Sequence, residues 1–499
     1  MTAGIRQDDG LEAVRAYLHK VGQPSGAGSA KLSDGSEVIV FDGPAPGGDS
    51  GRGSALGGSY DIDRMNAEFA LVIIGKNEVV LWDRGDAGDD EEIRFITLSA
   101  FRALSANAWT SVKGGGGKSK KMTFADRWLG DRQRRTFAGI EFVPSRDGRG
   151  GRNGYLNLWR GFAVAPSGDG SCAIFKDHLL TNVCGGDKIA FRWLFAWLAQ
   201  IVQQPRQKPG TAVVLRGGMG VGKTIVGEIF GSLIPRHYVL ADDPRYLVGN
   251  FNMHMATCLF LQADETIWAG DKHAEGRLKG LITSTQQMIE GKGVDPVKLD
   301  NHLRLLMTSN SDWVVPAGKD ERRFAIFHVA PHCAQNHAYF AEMLAEIEEG
   351  GRERLLHELL TFDLSAVNLR DIPKTGALLE QKIHSLDPVE AWLLERLQDG
   401  EPTRGHGLWP GFVSKDAIVD DYIKASERIG INRRSTETQL TMKLLKLLPG
   451  LRRARRSVSS ENGASTQRVR GYDLPSLAEA RREFETAMQQ DMEWDRTDE

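Results

Sequence analysis

Thr211-Ala212-Val213-Val214-Leu215-Arg216-Gly217-Gly218-Met219-Gly220-Val221-Gly222-Lys223-Thr224 is the stretch that decides the fold. Thr211 to Leu215 is a short β-branched apolar run, the pattern of a buried parallel strand. Gly217 to Thr224 then spells G-x-x-x-x-G-K-[ST], and Ile225 to Leu233 has the periodicity of a helix. In this strand–loop–helix context the glycines (Gly217, Gly218, Gly220, Gly222) let backbone N–H groups wrap a phosphate at a helix N-terminus, where the dipole favours anions. Lys223 then reaches the β and γ phosphates of ATP, and the Thr224 hydroxyl ligates Mg²⁺. A glycine-rich turn without a ligand is the alternative reading.

Three further pieces follow. Cys258 to Ala263 is an apolar run ending in Asp264-Glu265. One carboxylate there suits a Mg²⁺ shell and the other a catalytic base, so Asp264 is the metal-side candidate and Glu265 the base. An acidic pair closing a strand is the alternative. Leu303 to Thr308 runs into Ser309-Asn310, and an amide at that strand end can bond a γ-phosphate or the lytic water, although Asn is also a common turn former. Asp320-Glu321-Arg322-Arg323-Phe324 places two arginines before the apolar run Ala325 to Val329. An arginine reaching a neighbouring subunit's γ-phosphate is worth about 10³–10⁵ in rate, against the plainer reading of a surface ion pair.

In order and spacing these four elements resemble a superfamily 3 helicase of the AAA+ type, most of all the phage and plasmid primase-helicases. The resemblance extends to Trp159-Arg160-Gly161-Phe162, the Asp177 to Asp187 stretch, Trp268-Ala269-Gly270-Asp271 and Trp313-Val314-Val315-Pro316, and covers residues 130–330 well. It implies that Lys223 and Thr224 bind nucleotide, that Asp264 and Glu265 serve metal and water, and that Asn310 is the sensor. Arg323 takes the trans-acting finger position, with Arg322 as the substitute. The family also places a hairpin with a basic residue facing the pore of a hexamer. Ile289 to Lys298 matches it, with Lys292 first and Lys298 second as the pore residue; a solvated turn lysine is the alternative. A ring, 3′→5′ movement on single-stranded and forked DNA, primase or polymerase partners and the cytoplasm of a bacterial host are further implications of the resemblance.

Downstream, Pro388 to Leu397, Val413 to Ile429 and Ser435 to Leu448 read as helices. Arg452, Arg453, Arg455 and Arg456 precede a hairpin, and Arg468 and Arg470 follow it. From 433 to 470 ten Lys/Arg stand against two Asp/Glu, a local +8. Helix–helix–basic hairpin is the outline of a winged-helix module touching DNA phosphates; a solvated basic face is the alternative. After Gly471 the sign reverses, with nine acids against three bases.

Upstream, Leu11 to Val21 has a helical pattern, Gly22 to Ser59 is a Gly/Ser/Pro-rich linker holding the short apolar segment Val38 to Phe41, and Phe69–Ile74 with Val79–Trp82 suits a hairpin. Residues 113–135 carry eight basic and two acidic side chains around Gly114 to Gly117, a solvated loop or a phosphate contact. Tyr155 to Val164 reads as a strand, and Cys172 to Val202 as two helices with a packed aromatic core.

The expected fold is therefore α/β: a small α+β N-terminal region (1–130), a strand plus helical segment (131–204), a phosphate-loop ATPase core (205–385), a winged-helix-like domain (386–475) and an acidic tail (476–499). A length of 499 residues fits roughly three domains. With a formal net charge of −3, any nucleic acid must be held by local basic patches. Four cysteines without CxxC spacing argue against a disulfide framework or zinc module. The opening residues lack a secretory pattern, and Ile189 to Val202 is too short to span a bilayer.

Three other functions compete. Asp61-Ile62-Asp63 is the nearest approach to a primase's paired carboxylates and has no strand before it, so the chain reads as a motor without a primase domain. A non-unwinding initiator or loader ATPase fits the basic C-terminal unit nearly as well. A metabolic phosphotransferase predicts a small acceptor and no stimulation by DNA.

Overall fold

The apolar run from Thr211 folds as a strand, Ala212–Arg216, with every residue buried. It lies in a five-stranded sheet ordered Tyr238–Ala241, Phe260–Asp264, Arg304–Ser309, Ala212–Arg216, Phe324–His328. The first four of these strands pair in parallel, with Tyr238 opposite Phe260, Asp264 opposite Thr308 and Arg216 opposite Ser309. Near-continuous burial along such strands is what a parallel sheet covered on both faces requires. The molecule is thus mixed α/β with a parallel sheet, as the strand–loop–helix pattern predicts.

This computed structural model describes residues 27–31, 37–41, 56–83, 93–113, 119–249, 252–265, 272–291, 294–315, 321–428, 435–459, 466–489, 491–492 and 494. They form two units: Met1–Ser311 with Ala325–Pro373, and Asp312–Phe324 with Lys374–Glu499. The Leu11 to Val21 pattern, Trp268 to Asp271 and Lys292 lie outside the described residues.

Helix Lys223–Gly231 follows the glycine-rich loop and packs tightly on the sheet. A Cβ at Gly227 would collide with the Gln262 side-chain amide, so only glycine lets helix and strand come this close. Gln262 is itself a polar residue in mid-strand with no exposure. Its amide is satisfied by the Tyr238 hydroxyl (2.6 Å) and the Thr224 carbonyl (3.0 Å). The predicted aromatic helix is Lys188–Gln203, burying Trp193, Phe195, Trp197 and Leu198; each such side chain contributes about 1.5–3 kcal/mol. Arg304, fully buried, donates to the carbonyls of Pro205 (2.8 Å) and Gln207 (2.7 Å), and so pins the turn that introduces the strand Ala212–Arg216.

Upstream, Phe69–Ile74 and Asn77–Asp83 form the expected hairpin, inside a four-stranded sheet completed by Ile93–Thr97 and Thr136–Phe137. Phe69, Phe101, Phe124 and Trp128 make its core, with the Phe69 and Phe101 rings 4.8 Å apart. Asp61 caps helix Ile62–Glu68, its carboxylate accepting the Asp63 N–H at 2.9 Å. The linker segment at 38–41 extends to Glu37–Phe41 and pairs antiparallel with Ala27–Lys31, a partner the glycine-rich composition concealed.

Two elements differ from expectation. The strand predicted over Tyr155 to Val164 is only Tyr155–Asn157. The Asn157 side chain captures the N–H groups of Val143 (3.0 Å) and Trp159 (3.1 Å), and the Arg160 N–H goes to His237 Nε2 (2.9 Å), so the ladder stops. The helix predicted from Val413 starts at Lys415, because Phe412–Ser414 is a strand with Val413 paired to Tyr472.

The second unit holds a three-stranded antiparallel sheet ordered Phe412–Ser414, Thr466–Asp473, Arg452–Ser459. Around it stand helices Pro388–Asp399, Lys415–Arg428, Glu437–Leu447 and Leu477–Met488. Asp387/Glu390, Thr436/Gln439 and Ser476/Glu479 form capping boxes, satisfying backbone donors that helix starts leave unpaired. The acidic last helix buries Ala480, Phe484 and Met488 in the same core as Trp392, Tyr422 and Leu444. Among the described residues no helix is long and apolar enough to cross a membrane.

Candidate functional site

The sequence motifs of the first unit meet at the ends of three neighbouring strands. Gly222 is the N-cap of helix Lys223–Gly231 at φ +89°, a left-handed conformation that L side chains rarely adopt. Glycine is needed there twice over, since a Cβ would lie 2.6 Å from the His178 ring and 2.7 Å from Phe340. No side chain caps the helix start, which leaves its first N–H groups directed into the loop. The Lys223 ammonium is buried and donates to the carbonyls of Gly217 (3.0 Å) and Gly218 (2.6 Å) and to Asn310 Oδ1 (2.6 Å). Burial pulls its pKa down, while Glu265 and then Asp264 push it back up.

Asn310 joins two of the motifs, because its Nδ2 donates to Glu265 Oε1 while its Oδ1 takes Lys223. Asp264 joins the others. Its Oδ2 accepts from Thr224 Oγ1 at 3.4 Å, and its Oδ1 accepts from the Thr308 hydroxyl across the ladder. Glu265 stands at φ +51°, a left-handed conformation costing a non-glycine residue about 1–2 kcal/mol, and its N–H donates to the Thr308 carbonyl at 3.0 Å. The Asp264 and Thr224 oxygens suit a hard cation, and the uncapped N–H groups with Lys223 suit an anion.

A layer of residues that the motifs do not mark supports the loop from behind. His178 Nε2 lies 3.0 Å from the Gly222 carbonyl, and its Nδ1 lies 2.8 Å from Asn182 Nδ2. Nδ2 can only donate and a carbonyl can only accept, so the ring is the neutral Nε2–H tautomer. Burial lowers its pKa in the same sense. Asn182 Nδ2 also donates to Cys333 Sγ (2.7 Å), and that thiol reaches the Val221 carbonyl (3.3 Å). His178 and Asn182 stand four residues apart on one helical face, the single local signal available in the sequence.

The remaining candidates are placed as follows. Gln286–Gly291 and Val294–Asp300 form the expected hairpin, with Lys298 exposed and paired across to Met288. In the second unit the N–H groups of Arg322 (3.0 Å) and Arg323 (2.7 Å) both donate to the buried Glu321 carboxylate. Arg323 Nη1 lies 3.7 Å from the same carboxylate, whereas Arg322 is exposed. Arg452–Ser459 and Thr466–Asp473 form the basic hairpin, with Arg455 directly opposite Arg470 and Ser457 opposite Arg468. Alternation then puts Arg453, Arg455, Arg468 and Arg470 on one face. Arg456 on the other face is bound to Asp473 at 2.8 Å, and Arg452 is exposed.

Residues 215–323 match a family of unknown function (DUF5906). No curated protein matches the chain by sequence. Among solved structures, the apo structure of the NrS-1 C-terminal region (305–718) is similar with a TM-score of 0.57 at 15% identity, over 82% of this chain and 97% of that one. The A-form apo structure of the same region is similar with a TM-score of 0.59 at 15% identity, over 82% and 98%. At this identity the likeness is one of fold: the chain has the fold of the NrS-1 C-terminal region over most of its length.

Proposed function

We propose that this chain is an ATP-dependent DNA helicase of a phage or mobile element, a phosphate-loop ATPase of the superfamily 3 AAA+ kind that works as a ring, a hexamer by family resemblance, in a bacterial host. The observation that carries the reading is the convergence on Lys223: one ammonium bonded to Asn310, which is bonded to Glu265, beside an Asp264 held by Thr224 and Thr308. These are the phosphate, sensor, base and metal positions of a nucleotide hydrolase, drawn from three separate motifs.

The residues present fit ATP and Mg²⁺. The helix start without a side-chain cap and the buried Lys223 would hold the phosphates, and Thr224 with Asp264 would hold the cation. When bound, ATP supplies the phosphoanhydride whose cleavage drives the motor, and Mg²⁺ neutralises its phosphate charge. Lys223 exchanges the Gly217, Gly218 and Asn310 oxygens for phosphate oxygens. Glu265 takes the proton of the attacking water, and Asn310 orients that water. Arg323, pre-set by Glu321, acts on a neighbouring subunit's site, so hydrolysis passes around a ring. Lys298 on the 286–300 hairpin, Lys292, and the arginine face of the winged-helix-like second unit hold DNA backbone, which is indifferent to sequence as a translocating motor needs.

The test is Glu265→Gln in ATPase and forked-DNA assays with ATP and Mg²⁺. Nucleotide binding persists while hydrolysis and strand displacement fall by about 10²–10⁴. Wild-type turnover in that variant would overturn the assignment. The arginine hairpin would serve a non-unwinding, origin-binding loader equally well, and that reading prevails should the wild-type chain bind forked DNA and hydrolyse ATP without displacing a strand.

A further inference from the structure

We propose that the hairpin Trp109–Lys113 / Ser119–Thr123 of the first unit is a binding site for single-stranded nucleic acid, with Trp109 stacking on an unpaired base and Lys121 holding the adjacent phosphate. The inference rests on the reading that the chain works on DNA, and it adds a contact remote in sequence from every motif used above.

Directly opposed residues share a face of an antiparallel pair, so Trp109 and Thr123, then Ser111 and Lys121, lie together on one side. Thr110 with Met122 and Val112 with Lys120 lie on the other. The two sides are unlike. Thr110, Val112 and Met122 are half-buried beside an exposed Lys120, and Thr110 accepts a hydrogen bond from Arg127 Nη1 at 2.9 Å. On the Trp109 side, Ser111, Ser119 and Lys121 are exposed and the indole is 50% exposed. The hairpin is anchored at its base, where the Phe124 N–H donates to the Ala108 carbonyl (3.0 Å) and both residues are buried with Trp128. It is therefore a two-stranded platform, anchored at its base, that presents the indole to solvent.

An indole left half in water is unfavourable by ordinary burial arithmetic, and here it is paired with charge: the Lys121 ammonium sits 5.9 Å from the ring centroid. The surrounding segment, 113–135, holds eight basic and two acidic residues. Both acids are engaged within the fold, Asp126 by the Arg102 guanidinium (3.0 Å) and the Thr123 hydroxyl (2.9 Å), and Asp131 by the Gln133 N–H (3.0 Å). An exposed indole with a mobile surface ammonium over its ring, free to swing onto a phosphate, and hydroxyls beside it is what a base with its flanking phosphate recognises. A duplex keeps its base faces inside its own stack, so the platform selects unpaired strands.

The experiment is fluorescence anisotropy of labelled oligothymidylate with the full chain. Trp109→Ala weakens binding about tenfold, as expected when one base can no longer stack, and Trp109→Phe restores most of it. Lys121→Glu weakens binding and flattens the dependence of affinity on salt, by about 0.7 in logarithmic slope for each phosphate that is no longer held. Lys121 is exposed on a strand, so this second variant reads binding even if Trp109→Ala unfolds. An oligouridylate arm separates the sources: tighter thymidylate assigns the platform to DNA and tighter uridylate to RNA, both within the proposal. Wild-type affinity in both Trp109→Ala and Lys121→Glu overturns the platform alone. A wild-type chain that binds no single strand overturns the platform and the DNA-motor reading together. Equal weakening of blunt-duplex binding in the two variants also overturns the choice of unpaired strands.

Discussion

Lys223 and Arg455 are both cations that the proposed function assigns to phosphate, and their surroundings are opposite. Lys223 is buried, and the structure supplies it with three oxygen partners while Gln262, His178 and Thr308 fix the backbone and side chains around it. Arg455 is exposed on a hairpin with Arg470 directly across from it. Like charges so placed destabilise a strand pair unless an anion lies between them. On the proposed function, one site is organised before its ligand arrives and the other is completed by it. The first arrangement suits chemistry, where reorganisation costs rate, and the second suits a grip that must be released repeatedly.

The largest effect that tests this contrast lies at Arg323. Arg323→Ala should lower ATP turnover by about 10³–10⁵ if the guanidinium completes a neighbour's site. Mixing it with Lys223→Ala should restore part of the activity, since the two lesions can fall on opposite sides of one boundary. Lack of any rescue in mixed steady-state assays, with both chains folded, would remove the shared site. Lys223→Ala alone should cost about 10²–10³ in turnover, and isothermal titration should show nucleotide binding weakened with it.

A smaller effect asks whether the layer behind the loop matters. His178→Ala leaves the Gly222 carbonyl and the Asn182 amide without their partner, at about 1–3 kcal/mol. It should weaken nucleotide binding and lower the melting temperature while leaving the DNA affinity of the arginine hairpin unchanged. Nucleotide affinity equal to wild type would mean the loop holds its shape without this layer.

Acid should separate the two units. His237 is fully buried, donates through Nδ1 to the Thr257 carbonyl (2.8 Å) and accepts the Arg160 N–H, and burial holds its pKa down at about 3. Burial likewise holds His302 at about 4. The unfolded chain protonates histidine near pH 6.5 and the folded chain does not, so the first unit is most stable above that pH. It loses up to about 1.4 kcal/mol per pH unit and per histidine as pH falls from 6.5 toward those values. Among the described residues the second unit buries no histidine. Urea unfolding followed at pH 7 and pH 5 should show the first unit's midpoint falling more; equal shifts in both units would exclude the histidines as the cause.

The legible part of the molecule is the part whose chemistry is local. The strand–loop–helix, the acidic strand end and Asn310 were readable as elements that meet because each is marked by particular residue types at fixed spacing beside a strand, and burial leaves strands a simple apolar pattern. The arginine hairpin was readable from charge density. What escaped was whatever depends on distant partners: His178 and Cys333 are brought to the loop by packing from residues far away in the chain, and no spacing rule encodes that. The early end of the Tyr155–Asn157 strand escaped for the same reason, its continuation being diverted to His237 by a contact across 77 positions. Phe412–Ser414 looked like the start of a helix because three residues carry too little periodicity to show a strand.

The smallest effect is also the one whose sign separates the two kinds of site. Lys223→Ala removes a satisfied group, leaving Asn310 Oδ1 and two loop carbonyls without their donor, so it should destabilise the free protein. Arg455→Ala removes one of two facing cations, so it should stabilise the free second unit by about 0.2–1 kcal/mol. The same change should weaken DNA binding a few-fold and reduce its salt dependence, because one phosphate is left without its cation. Urea midpoints with and without oligonucleotide measure both halves, and the gain should shrink as salt screens the repulsion. Should Arg455→Ala destabilise the DNA-free protein, the arginine pair is structural, and the contrast between a prepared site and a completed one fails at its second member.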